Sequence, residues 1–173
     1  MDNEILKAIR ERRSYRKYQD QQIKDDELQA VLEAGTWAAT AHGEQDPWIV
    51  AVQNAELRAQ LVKMNAAVMG VSSDPYYGAP TIVLVFASQD NLNHDRDGSL
   101  VLGNMMLAAH SVGLGSCWIN REDAMFDTEE GKQIIKKLGL PEGIVGVGAL
   151  ALGYLKGETK AKPRKADYYK VVK

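Results

Sequence analysis

Cysteine is almost absent: among 173 residues there is one, Cys117, set between Ser116 and Trp118. A single thiol closes no internal disulfide, and with three scattered histidines it gives no metal-ligand spacing, so a disulfide scaffold and a metal site are both excluded. Charge of one sign is missing too. The formal net charge is −2, which leaves no basic face of the kind a nucleic acid demands. No apolar run reaches membrane-spanning length, and the start, Met1-Asp2-Asn3-Glu4, is acidic where a secretory leader is basic. The chain is therefore expected to be cytoplasmic, with neither nucleic acid nor membrane as partner. No Gly-Lys-Ser or Gly-Lys-Thr occurs, which removes a Walker-type phosphate loop. Gly146-Val147-Gly148-Ala149-Leu150-Ala151 has the spacing of a dinucleotide fingerprint, yet it lies inside an apolar strand with no helix following. No serine stands in a nucleophile-elbow context, and Cys117 reads as a small buried hydrophobe. Chemistry then falls to a bound cofactor, with the protein supplying position and electrostatics.

What is present is an ordinary globular balance, 45% apolar and 25% charged, enough for one domain spanning 1–173 with a core of its own. The feature that stands out is Arg12-Arg13-Ser14-Tyr15-Arg16. Three guanidiniums and a hydroxyl in five residues make a compact anion receptor, because each Arg presents a rigid fork of donors matched to phosphate oxygens. A basic helix end is also what the helix dipole favours by itself. A second basic pair, Arg164-Lys165 after Pro163, strengthens the phosphate reading.

In chain order, Ile5, Leu6 and Ile9 predict a first helix over 4–13 with one buried face. Leu28, Val31 and Leu32 predict a second, opened by Asp25-Asp26-Glu27 and closed at Gly35. An ordered loop over 37–48 leads into a strand over 48–52, and Asn54 caps a helix carrying Leu57, Leu61 and Met64. The serines, Asp74-Pro75, Tyr76-Tyr77 and Gly78 predict a mobile loop that covers a site. Residues 81–87 read as a strand buried on both faces, and 97–112 as a central helix buried nearly all round. A short strand over 115–119, a helix over 128–138 and a glycine-dotted strand over 144–154 follow. Tyr168-Tyr169-Lys170-Val171-Val172 alternates as a segment suited to pair with a sheet edge, its own or a partner's. The order predicts a central sheet with helices packed around it.

Four of these stretches, in this order, resemble the FMN-dependent nitroreductase family, in its compact branch: Arg12 to Arg16, Ala39 to Trp48, Asn104-Met105-Met106-Leu107-Ala108-Ala109 running into Gly113 to Ile119, and Pro163-Arg164-Lys165. The resemblance implies an α+β fold, a central mixed but mainly antiparallel sheet flanked by helices in a three-layer sandwich. It implies a homodimer binding FMN at the subunit interface and an oxidoreductase passing hydride from NADH or NADPH to a small electron-poor acceptor, such as a nitroaromatic, quinone or activated alkene, by ping-pong exchange. By the same resemblance Arg12 and Arg13 belong to the turn that wraps the flavin, with Arg12 facing the phosphate. Ser14 faces the ribityl chain or pyrimidine edge, and Arg16 the flavin N1 and O2. Ala39, Thr40, His42 and Gln45 lie on the loop donated across the interface. Trp118, Ile119 and Asn120 place backbone near N5, and Arg164 and Lys165 complete the phosphate site. Many relatives have Pro at the place of Ala39 and Asn or Arg near Gly43-Glu44, so the substrate pocket is expected to depart from the usual one. Relatives also include reductive dehalogenases and an enzyme that fragments flavin; a non-catalytic flavin-binding or redox-sensing protein is a further reading.

Overall fold

The computed structural model describes residues 1–173. Four strands, β1 (Trp48–Val52), β2 (Thr81–Ser88), β3 (Leu114–Ile119) and β4 (Ile144–Tyr154), form one sheet in the order β1-β2-β4-β3, with every pairing antiparallel. Helices α1 (Glu4–Glu11), α2 (Asp25–Thr36), α3 (Ala55–Met69), α4 (His94–Ser111), α5 (Glu122–Phe126) and α6 (Glu129–Lys137) surround it. The local signals for these elements are legible. Asn54 Oδ1 accepts from the Leu57 amide at 2.9 Å and Thr128 Oγ1 from the Gly131 amide at 3.0 Å, each a side-chain oxygen satisfying a donor that the first helical turn leaves free. Gly113 and Gly139 take left-handed φ after α4 and α6, where a Cβ would be strained.

The period of two along β2 divides the core. Ile82, Leu84 and Phe86 face a cluster with Leu61, Met64, Tyr76, Met125 and Phe126, under α3, α5 and α6. Val83, Val85 and Ala87 face Val31, Val101, Leu102 and Met105, under α2 and α4. Both faces of β2 are covered, as its continuous apolar run requires. β4 carries a bulge: Val85 pairs with Gly148 and Phe86 with Gly146, so Val147 is the extra residue. Two glycines flank that bulge because neighbours press on them. A Cβ on Gly146 would lie 2.5 Å from the Glu122 carbonyl oxygen, and one on Gly148 would lie 2.7 Å from Trp118 Nε1. The apparent dinucleotide fingerprint is thus a packing device for α5 and Trp118.

Four expectations are corrected. Helix α1 has no fully buried residue: it touches α4, and Leu6 and Ala8 are half-buried, but Ile5 stays 65% and Ile9 55% exposed. α4 is buried on one side only; Leu100 and Val112 are exposed and Asn104 turns outward to hold the Ala34 carbonyl of α2 at 3.2 Å. The stretch between Gly70 and Pro80 is pinned. Asp74 accepts from the amides of Tyr76 and Gly78, both at 2.7 Å, and the Tyr76 ring is buried. Finally, Tyr168 to Val172 is exposed and joins no edge of its own sheet, and beyond Lys156 no hydrogen bond ties the tail down. No helix is long and apolar enough to cross a membrane.

Candidate functional site

The basic turn begins where α1 stops. Arg12 caps the helix with its amide on the Ala8 carbonyl at 2.8 Å, and the chain then leaves in extended conformation. It is held there by β3: Ser14 bridges Ser116 in parallel, the Tyr15 amide donates to the Ser116 carbonyl at 2.9 Å, and further on Tyr18 bridges Leu155. Gly115 makes the approach possible, since a Cβ there would meet Tyr15 at 3.2 Å and Leu155 at 2.4 Å. Tyr18 locks the far end, its buried hydroxyl donating to the Tyr15 carbonyl at 2.8 Å. Sequence-adjacent arginines are thereby laid along the strand that ends in Trp118, Ile119 and Asn120.

The three guanidiniums are used differently. Arg13 turns back and donates to the Arg12 carbonyl at 2.8 Å, satisfying a helix-end acceptor. Arg16 lies 5.8 Å from the centre of the Tyr77 ring, and Tyr77, then Cys117, hold its pKa above the ordinary arginine value. None of Arg12, Arg13 or Arg16 has a carboxylate partner. Arg12 Nη1 and Arg13 Nε are shielded from solvent with no acceptor at all. Buried donors are nearly always satisfied, so these two orphans on adjacent cations leave donors open to an acceptor from outside the chain; Arg58 Nε, on α3, is likewise without an acceptor. Cys117, behind this turn, is free and buried; burial pushes its thiol up, with Arg16 only partly offsetting that, so it is protonated and inert.

Trp118 stands outward at the end of β3, partly exposed against Gly148, while Ile119 is buried and Asn120 exposed. The Asn120 carbonyl accepts from Asn65 Nδ2 at 3.1 Å. Next to it Arg121 has φ 89°, a left-handed non-glycine at the start of α5.

The loop carrying Ala39, Thr40, His42 and Gln45 is ordered, as expected. The Ala41 amide donates to both carboxylate oxygens of Asp97, at 3.1 and 3.2 Å, and the Gln45 amide to Thr40 Oγ1 at 3.0 Å. Asp46 holds the other end, accepting from the Ser88 amide at 3.0 Å. His42 and Gln45 take φ of 54° and 53° and expose their side chains. This loop feeds β1, one edge strand, whereas the arginines lie on β3, the other. Three strand spacings, roughly 14 Å, separate the two edges. A cleft of about 650 Å³ lined by Trp37, Thr40, Gly43 and Gln45 contains no arginine of its own chain. The structure therefore brings Arg12, Arg13, Ser14 and Arg16 to Trp118, Ile119 and Asn120, and keeps Ala39, Thr40, His42 and Gln45 apart from them. Arg164 and Lys165 sit in the exposed tail with no side-chain partner. A further cleft of about 580 Å³, lined by Gln89, Phe126, Lys132 and Leu140, holds none of these residues.

A nitroreductase family model matches residues 9–76 and 68–154. The chain belongs to the nitroreductase family. It is 35% identical over 162 residues to a relative from Archaeoglobus fulgidus, provisionally named NADH dehydrogenase/NAD(P)H nitroreductase, covering 90% of this chain and 87% of the relative. A nitroreductase from Bacteroides fragilis, whose crystal structure holds bound FMN, superposes with TM-score 0.92 at 32% identity, over 99% of this chain and 100% of that one. The NADPH-flavin oxidoreductase of Vibrio harveyi is 29% identical, over 94% of this chain and 70% of its own length. The antiparallel three-layer arrangement is that of the nitroreductase fold, as the resemblance implied.

What the sequence left unmarked are Asp97, Asn65 and Glu122, buried polar residues of which Asp97 holds the Ala41 amide and Asn65 the Asn120 carbonyl and Arg121; Tyr76, expected in a loop over a site, is instead buried with its hydroxyl on Glu122. An acidic residue in the first turn of an amphipathic helix, as Asp97 is, reads as an exposed dipole partner, and nothing local distinguishes it.

Proposed function

We propose that this nitroreductase is an NAD(P)H-dependent FMN oxidoreductase that passes hydride to a small electron-poor acceptor, a nitroaromatic, quinone or activated alkene, in ping-pong exchange. The observation that carries the reading is the pair of orphaned buried donors, Arg12 Nη1 and Arg13 Nε, laid beside the end of β3 in a chain of this family. Such donors fit a phosphate monoester. Arg12 binds it, and Arg164 and Lys165, unpaired on the tail, add charge to the same end. Ser14 bonds the ribityl chain or the pyrimidine edge. Arg16 supplies a cation toward the flavin N1 and O2, having no carboxylate that competes for it. Trp118, Ile119 and Asn120 present backbone toward N5. FMN, when bound, supplies the redox chemistry: it accepts hydride from NADH or NADPH and yields it to the acceptor. No dedicated acid or base is assigned to either half of that exchange.

The working unit is a homodimer. Two facts support it. Ile5 and Ile9 of α1 stay exposed in the single chain. The loop of Ala39, Thr40, His42 and Gln45 stands at the opposite sheet edge from the arginines, so a partner's loop is what completes each pocket. Stopped-flow mixing of the FMN-loaded protein with NADH and NADPH, then with a panel of nitroaromatics and quinones, tests the activity. Bleaching of the flavin by a nicotinamide and recolouring by an acceptor are expected. A flavoprotein inert to both nicotinamides is a binder and not this enzyme.

A further inference from the structure

Under the turn that follows β3 lies a buried polar cluster. Glu122 and Asn65 are fully buried and Tyr76 nearly so. Tyr76 Oη donates to Glu122 Oε1 at 2.9 Å. Asn65 Nδ2 lies 3.3 Å from the same oxygen and 3.1 Å from the Asn120 carbonyl, while Asn65 Oδ1 accepts from Arg121 Nε at 2.9 Å. Glu122 Oε2 has no partner. Buried carboxyls are costly, and stability alone is better served by apolar side chains in such a place. The cluster touches both sides of the proposed flavin cradle. On one side it grips Asn120 and the left-handed Arg121; on the other, Tyr76 precedes Tyr77, also left-handed at φ 59°, whose ring carries Arg16.

We propose that Glu122, acting through Asn65 and Tyr76, is a positioning residue that sets the Asn120–Arg121 turn and the Tyr77–Arg16 contact against each other, and so governs how tightly the chain grips FMN. The inference rests on the flavin reading above. The neutral carboxyl is an anchor: it accepts from the Tyr76 hydroxyl and from one Nδ2 hydrogen of Asn65, while the other meets the Asn120 carbonyl. Ionisation puts a charge on a buried carboxyl whose Oε2 has no partner, and the cluster must shift to satisfy it, loosening the turn. Burial pushes the Glu122 carboxyl up to about 7; Tyr76 and Arg121 favour its ionised form and Asp123 opposes it. α3 offers it only Asn65, and β4 only the backbone at Gly146.

The test is FMN titration of the purified apo-protein by flavin fluorescence quenching, at about pH 6 and about pH 8, in wild type, Glu122→Gln, Glu122→Leu and Tyr76→Phe. Glutamine retains the acceptor but does not ionise. The phosphate's own titration is common to all four proteins, so ratios to wild type remove it. Glu122→Gln is expected to match wild type at the lower pH and to bind about fivefold more tightly than wild type at the higher, where wild type has lost a hydrogen bond to the turn. Tyr76→Phe and Glu122→Leu are expected to weaken binding about fivefold at the lower pH. A Gln-to-wild-type ratio unchanged by pH, or a Tyr76→Phe protein that binds as wild type does, overturns the inference while FMN binding itself stands. Wild type that takes up no FMN overturns the flavin reading and this inference with it. Should Glu122→Leu fail to fold by circular dichroism, the isosteric pair decides.

Discussion

Replacing Glu122 by Gln should make the apo-protein less sensitive to pH, and the size of the effect follows from where that carboxyl sits. In the folded chain burial pushes it up to about 7, against 4.5 for the unperturbed group. Below the lower value both folded and unfolded chains hold the proton, and the group has no effect on the slope of stability with pH. Between the two values the native state binds more proton than the unfolded one, so stability falls as pH rises, and above about 7 the loss is complete. At about 1.4 kcal/mol for each pH unit, the gap amounts to about 3 kcal/mol. For a chain of this length that is a difference of roughly 6 to 12 °C in Tm. Glutamine removes the titration and keeps the acceptor for Tyr76. Urea unfolding of wild type and Glu122→Gln, followed by tryptophan fluorescence at steps from about pH 4 to about pH 8, should therefore give curves that diverge, with the variant gaining about 3 kcal/mol relative to wild type across the range. Every other titrating group is common to both proteins and cancels in the difference. Parallel curves would refute the reasoning, because they would mean that Glu122 is equally easy to ionise in the folded and unfolded chain.

Arg12→Ala should weaken FMN binding by about 1–3 kcal/mol, the value of a charge-assisted contact, read by equilibrium dialysis; unchanged retention removes the phosphate assignment. Ile9→Glu, on the open face of α1, should convert dimer to monomer in analytical ultracentrifugation and release flavin, whereas a flavin-bound monomer contradicts the shared pocket. Gly131→Ala should cost about 1–3 kcal/mol in thermal unfolding, because the new Cβ would stand 2.3 Å from the Met125 carbonyl oxygen, which belongs to backbone and has no room to yield.

The parts of this molecule that were legible in the chain are those set by local chemistry. Asn54 and Thr128 announce helix starts, Gly113 a helix end, and the run from Thr81 a strand covered on both sides. The basic turn was legible as a cluster of guanidiniums because its arginines are adjacent in sequence. Helix α5 was not, being five residues with no room for a period. The segment around Asp74 carries the glycine, serine and proline of a loose loop, yet its order comes from an aspartate folded onto two nearby amides and from Tyr76 reaching a carboxyl 46 residues away. No spacing rule finds such a pair. α1 has the amphipathic pattern of a packed helix, yet Ile5 and Ile9 stay exposed in the folded chain, and the cover proposed for them is a second copy. The distance of the His42 and Gln45 loop from the arginines was not legible either, because it is a property of strand order and not of local sequence.

The most direct trial is addition of FMN to the apo-protein, with bound flavin counted per chain by absorbance after gel filtration. A yellow dimer retaining one FMN for each subunit, bleached when NADH or NADPH is added without oxygen, is expected. A colourless protein that emerges free of added flavin would contradict the flavin reading.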